Sequence, residues 1–194
     1  MVRVLLITFL FLSTTVAHVA HAALGGHVVL YSDASVSRCT VTDAGPSVAD
    51  VYVVHVIRGS FVEFYGAAGI QFRLSSSAGF TGTWLEDVIP AGMSASGVSP
   101  SGIGIGYGVG CPTDSPLILH ARYQLLGSSS ACSFLEAAPY PNLCCIVTRT
   151  CFLGDEFPVD GARLVVNPDQ NCPCETPLAT EPTTWGRIKA MYRN

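Results

Sequence analysis

Between Leu117 and Leu126 the chain alternates with a period of two. Leu117, Leu119, Ala121, Tyr123 and Leu125 fall on one side, and His120, Arg122 and Gln124 on the other. A strand turns successive side chains to opposite faces, so the pattern specifies a half-buried strand; a helix would repeat its apolar stripe every three to four residues. Ile70, Phe72 and Leu74 alternate with Gln71, Arg73 and Ser75 in the same way. Val51 to Ile57 (VYVVHVI) is β-branched and aromatic nearly throughout, as expected of a strand covered on both faces. His27 to Tyr31, Phe80 to Val88, Cys132 to Ala137, Cys145 to Cys151 and Ala162 to Val166 complete the set, separated by Ser, Gly and Pro clusters. No long segment of the domain carries helical period. Short strands with turn punctuation and no intervening helices predict an all-β fold, an antiparallel β-sandwich.

Composition narrows the class further. Of 194 residues 49% are hydrophobic and 12% charged, with a formal charge of −4, the reverse of a disordered chain. Lys189 is the single lysine, so the basic footprint of a nucleic-acid binder is missing.

Residues 1–22 read as an export signal. Arg3 supplies a positive start, Val4 to Leu12 an apolar run, and Ala20-His21-Ala22 a small-x-small cleavage site before Ala23. The apolar run is too short for a membrane span, which needs roughly 20 residues. Cleavage leaves about 172 residues at −5, with no transmembrane span expected in the mature chain. The expected location is secreted, periplasmic or on the cell surface.

Export gives the cysteines their meaning. Cys39, Cys111, Cys132, Cys144, Cys145, Cys151, Cys172 and Cys174 are even in number and all follow the signal, which favours disulfides. Eight cysteines allow 105 pairings, which the sequence leaves open. A zinc site from Cys144, Cys145, Cys151, Cys172 and Cys174 is the rival reading, but the C-x2-4-C knuckles of structural zinc are missing. Cys144 and Cys145 are expected not to bond readily to each other, because neighbours on a strand point apart.

Gly102 to Gly110 (GIGIGYGVG) alternates glycine with apolar residues. Phosphate-binding loops place glycines between a strand and a helix, and here no helix follows. The pattern predicts a strand with one bare face, packed closely by another element such as the Trp84 ring, or else forming a shallow ligand surface.

Sets for catalysis are thin. Gly92 to Gly97 and Gly97 to Gly102 each miss G-x-S-x-G by one residue and read as a flexible loop. His27, His55 and His120 stand alone on separate strands. Glu86 and Asp87 are adjacent and should point apart, which argues against a glycosidase pair. Gly154 to Gly161 holds three acids without the D-x-D spacing of a calcium loop, so a hairpin turn is expected. No cofactor or metal is indicated.

Phe61, Phe64, Tyr65, Phe80 and Trp84 fall within 24 residues. Large apolar residues usually fill a core, and that reading is favoured. The alternative is a sugar-gripping platform with Trp84, Phe61, Phe64 and Tyr65 as its ligand-binding residues.

The domain is expected over 23–174, a Pro/Thr/Glu linker over 175–183, and an amphipathic tail over 184–194. Thr184 can cap a short helix that places Trp185, Ile188, Met191 and Tyr192 on one face, with Arg187, Lys189 and Arg193 alongside. So short a helix needs something to dock on, either its own domain or a recognition partner.

Trp185-Gly-Arg-Ile-Lys-Ala-Met-Tyr-Arg193, Val165 to Cys174 and Val51 to His55 resemble a group of uncharacterised secreted bacterial proteins. These have a cysteine-bearing β-domain and a W-G-x-[IV]-K-x-[LM]-Y ending. The strand pattern is also similar to that of immunoglobulin/cohesin-like and jelly-roll-like sandwiches, so the resemblance implies location and an antiparallel β-sandwich fold and transfers no activity. Similar chains carry a cysteine just before F-T-G-x-W, where this one has Gly79. The sequence thus reads as a secreted non-catalytic structural or interaction module, with a surface protein, sorting machinery or a glycan as partner. The alternatives are a carbohydrate or cell-surface binding module and an extracellular hydrolase.

Overall fold

The computed structural model describes residues 25–172 and 174, apart from 109, so residues 1–22 and the 184–194 tail lie outside the described residues. Its elements are β1 (His27–Tyr31), β2 (Thr40–Val41), β3 (Pro46–Val56), α1 (Ser60–Tyr65), β4 (Ala67–Ser76), β5 (Thr83–Val88), β6 (Ser94–Val98), β7 (Gly102–Gly106), β8 (Leu117–Leu126), β9 (Ser133–Ala138), β10 (Ile146–Thr150), β11 (Glu156–Gly161) and β12 (Arg163–Val166).

One hydrogen-bonded path runs β2-β12-β9-β4-β10-β11-β1-β3-β8-β5, with β6 and β7 added beside β4. It folds into two layers, β1-β3-β8-β5 and β6-β7-β4 with β9 and β10, and β11 joins β10 to β1. Val28, Val51, Val53, Leu119, Ala121 and Tyr123 of the first layer meet Ile70, Phe72, Leu74, Ile103 and Ile105 of the second in one core. Full burial of each large side chain contributes roughly 1.5–3 kcal/mol. The alternation read from β4 and β8 is thus the inward face of each layer. Val51 to Ile57 is covered on both faces because Val29, Tyr31 and Val54 form a second small cluster outside the β1–β3 pair.

Three features refine or depart from the expectations drawn from the sequence. β1 pairs β11 and β12 pairs β2 in parallel. The Ser/Gly segment expected as a flexible loop contains β6, which pairs β7 from Ser94↔Gly106 to Val98↔Gly102. Within the expected hairpin turn at 154–161, the turn itself is closed by the Thr150 N–H donating to the Asp155 carbonyl at 2.9 Å, and Glu156 onward is strand β11.

The pairing of the cysteines is Cys39–Cys174, Cys111–Cys151, Cys132–Cys172 and Cys144–Cys145. The last corrects the expectation that neighbours do not bond. Cys144 and Cys145 lie in a bend before β10, off the strand, so strand alternation does not turn them apart.

Candidate functional site

The five clustered rings separate into two groups. Phe80 and Trp84 belong to the margin of the core. Phe80 meets Tyr123 edge-on at 5.7 Å, and the half-buried Trp84 donates its indole N–H to Asp87 Oδ1 at 3.1 Å. Phe61, Phe64 and Tyr65 go elsewhere, to an aromatic ridge at one end of the sandwich.

The ridge is built on α1. Six residues cannot hold a helix unaided, and its N-cap Gly59 makes no side-chain cap. Tertiary contacts hold it instead. Val62 is fully buried in the core, and Gly66 closes the helix with its N–H on the Val62 carbonyl at 2.9 Å. Gly66 has φ +73, and a Cβ there would collide with the Cys111 backbone, so both conformation and space demand glycine. Cys111 is bonded to Cys151, whose N–H donates to the Gly66 carbonyl at 3.0 Å. The bridge thus clamps α1 to the β10–β11 turn, which carries Phe152.

With Val62 turned inward, Phe61, Phe64 and Tyr65 stand on the outer side. Phe157, Phe61, Tyr65 and Phe152 stack in succession at 6.0, 6.3 and 5.8 Å, and Phe64 meets Tyr65 edge-on at 4.9 Å. Phe61 is 55% exposed, Phe64 and Phe152 78%, and Leu153 54%. Arg58–Glu63 at 3.8 Å lies at its base. Phe61, Phe64 and Tyr65 are neighbours in the sequence, whereas Phe152 and Phe157 lie about ninety residues further along the chain, so sequence proximity does not join them to the group.

A second surface lies on the outer face of β4, β6, β7 and β10. Gly104 and Gly106 leave their floor bare while Ile103 and Ile105 point into the core. Trp84 does not cover it. Gln71 and Ser96 are the neighbours of Gly104, each at 3.7 Å from where a Cβ would stand. The result is an open trough of about 430 Å³ rimmed by Gln71, Ser94, Ser96 and the Arg149–Glu156 ion pair.

The histidines do not converge. His55 is sealed in the core, with Nδ1 2.7 Å from the Tyr107 hydroxyl and Nε2 3.0 Å from the Gly25 carbonyl. A carbonyl only accepts, so Nε2 carries the proton and Nδ1 accepts from Tyr107. Burial pushes the His55 pKa down to about 4, partly offset by the Gly25 hydrogen bond, and burial raises that of Tyr107. His120 Nε2 lies 2.7 Å from Asp50 and stacks on Tyr52, while His27 lies 3.7 Å from Asp160. Ser99 is buried with its hydroxyl on Asp87 at 2.7 Å and no histidine beside it. Glu86 turns out to Arg122 while Asp87 turns in to Ser99, so the adjacent acids do point apart. The five cysteines of the rival zinc reading are distributed over four separate bridges.

No family model matches the sequence, and no curated protein sequence is significantly similar to it. Solved structures are. A cohesin module from a Clostridium perfringens family 33 glycoside hydrolase superposes with a TM-score of 0.51 at 9% identity, over 74% of this chain and 97% of the module. The sixth cohesin of Acetivibrio cellulolyticus scaffoldin B, solved in complex with a Cel5 dockerin, has a TM-score of 0.45 at 9% identity, over 74% of this chain and 98% of the cohesin. The first likeness establishes a cohesin-like sandwich. Among the described residues no helix is long and apolar enough to cross a membrane.

Proposed function

We propose that this chain is an exported, non-catalytic interaction module that docks a protein partner on the aromatic ridge. One observation carries the reading: four large apolar side chains, Phe61, Phe64, Phe152 and Leu153, stand more than half exposed in one contiguous patch on a clamped scaffold. Isolated exposed apolar residues are ordinary, but a contiguous patch of them marks a contact surface. Exposed rings held rigidly supply contact area at low entropic cost, as in interface anchors. A sugar platform needs open ring faces, whereas here Phe61 and Tyr65 have theirs against neighbouring rings and present edges. Cohesins of this fold include one solved with a dockerin, a protein partner.

In this reading residues 1–22 direct export. Trp185, Ile188, Lys189, Met191 and Tyr192 form a recognition or sorting tag on the 175–183 linker, as the resemblance to secreted bacterial proteins with that ending implies.

A photocrosslinking residue at position 64, introduced in the producing cell, is expected to yield a discrete protein adduct. The same residue at Val98, exposed on β6, is expected to yield none. Equal crosslinking at both positions, or none at 64, overturns the reading. The glycine-floored trough favours a second reading, a glycan lying across Gln71, Ser94 and Ser96. Glycan-array binding lost on Gln71→Ala and kept on Phe64→Ser would establish that one instead.

A further inference from the structure

Three of the four bridges have a clear structural role. Cys39–Cys174 joins residues 135 apart in sequence, and Cys111–Cys151 and Cys132–Cys172 each join residues 40 apart. Closing such loops removes freedom from the unfolded chain, and the gain grows with loop length. Cys144–Cys145 closes no loop, because a sequence separation of 1 leaves nothing between its ends to constrain. It holds no two elements together either: both residues lie in the connection between β9 and β10, ahead of the first paired residue, Ile146.

Its surroundings differ as well. Cys144 is the exposed cysteine of the eight, and the others are half-buried or buried. The connection turns on Leu143 N–H donating to the Tyr140 carbonyl at 2.9 Å, with Asn142 at φ +70 and Leu143 exposed beside the pair. A bridge that stabilises nothing by loop closure and stands open to solvent is suited to exchange, since exchange depends on access to a sulfur atom.

We propose that Cys144–Cys145 is a thiol-exchange site: it captures an external thiol as a mixed disulfide on Cys144. An incoming thiolate attacks Cys144 Sγ, the accessible sulfur. The new S–S bond forms as the Cys144–Cys145 bond breaks, and Cys145 leaves as a thiolate that takes a proton from water. Cys145 can later attack Cys144 Sγ, reforming the vicinal bond and expelling the captured thiol. No net oxidant is needed, because capture and release are isoelectronic exchanges between one disulfide and one thiol. The co-reactant is a small thiol or a cysteine on a partner protein; the other three bridges remain closed.

The oxidised full chain is incubated with reduced glutathione, quenched in acid, and mapped by mass spectrometry after alkylation. The expected result is a glutathione adduct on Cys144 and an alkylated Cys145, forming at least about ten-fold faster than modification at any of the other six cysteines. A Cys144→Ser/Cys145→Ser variant is expected to lose that adduct while melting within about 1–2 °C of the parent, as the removal of a bridge that closes no loop requires. A Cys145→Ser variant, loaded at Cys144 with glutathione disulfide, is expected to keep its adduct when the thiol is diluted, whereas the parent releases it; release at the parent's rate would overturn the role of Cys145. Adducts that appear first at Cys111, Cys132 or their partners, adducts on all bridges at one rate, or a double variant that melts as low as one lacking Cys111–Cys151 would each overturn the proposal.

Discussion

The two ends of the sandwich solve opposite problems. β3 begins at one end beside Asp43 and finishes at the other beside α1. At the α1 end, rings stand in solvent while a disulfide and a buried valine hold their base. At the Asp43 end, a carboxylate only 5% exposed is enclosed by polar partners. Asp43 accepts from the Gly127 and Ser129 N–H groups, the latter at 3.0 Å. Asn167 bridges the Asp43 N–H and the Ser129 carbonyl at 2.7 and 2.8 Å. Burial raises the Asp43 pKa, but the Ser129, Gly127 and Ser128 hydrogen bonds outweigh it and hold the carboxyl below its ordinary value. One end displays apolar surface, and the other is arranged to close. Apolar display and polar enclosure are thereby separated along the length of β3.

The sharpest way to break this contrast is to remove the clamp under the ridge. Cys111→Ser/Cys151→Ser frees a 40-residue separation and is expected to cost about 4 kcal/mol. Urea titration reads it, and a loss below about 1 kcal/mol would mean that packing alone holds α1. At the closed end, Asp43→Ala strands two buried N–H donors and is expected to cost about 3 kcal/mol. A shift in urea midpoint no greater than that of an exposed-site control would show the network to be ornamental.

Acid distinguishes the ends by pH window. His55 lies beside the ridge-end segment through Gly25, and its folded pKa is lowered from 6.5 to about 4. The unfolded chain therefore binds a proton that the folded chain refuses between those values, and stability falls as pH drops from 6.5 to about 4, by roughly 3 kcal/mol in full. Asp43, also lowered, loses its contribution only as pH falls from 3.8 downward. Amide exchange at pH 5 is expected to accelerate around Gly25 and Val56 before Gly127 and Ser129. Simultaneous opening would collapse the distinction. The smallest effect belongs to the display itself: Phe64→Ser/Phe152→Ser is expected to change stability by less than about 1 kcal/mol, since both rings are already in water. A larger loss would make the ridge part of the core.

What the sequence reveals depends on how local the physics is. β8 and the central part of β4 were legible because alternation is a property of consecutive residues facing one core. β6 was obscured because all its positions are exposed and small, leaving no apolar period to read. The helix had a trace: Phe61, Phe64 and Tyr65 stand at i, i+3 and i+4. That spacing spans too few residues to outweigh the surrounding strand pattern. Parallel pairs such as β1 with β11 join residues more than 130 apart, and nothing local encodes them. The ridge was half legible for the same reason, its own helix supplying three rings and a distant turn the rest. The tail was the most conspicuous motif in the sequence and lies outside the described residues.

The Cys39–Cys174 bridge has a mechanical consequence. Tension applied to the chain beyond Cys174 enters the fold through a covalent bond to Cys39, directly ahead of β2, and so into the parallel β2–β12 pair. Under the proposed docking, a partner held at the ridge would load the opposite end of the sandwich from that bridge. The load would then be shared between that two-residue pair and the Cys132–Cys172 bridge, which ties the same stretch of chain to the start of β9.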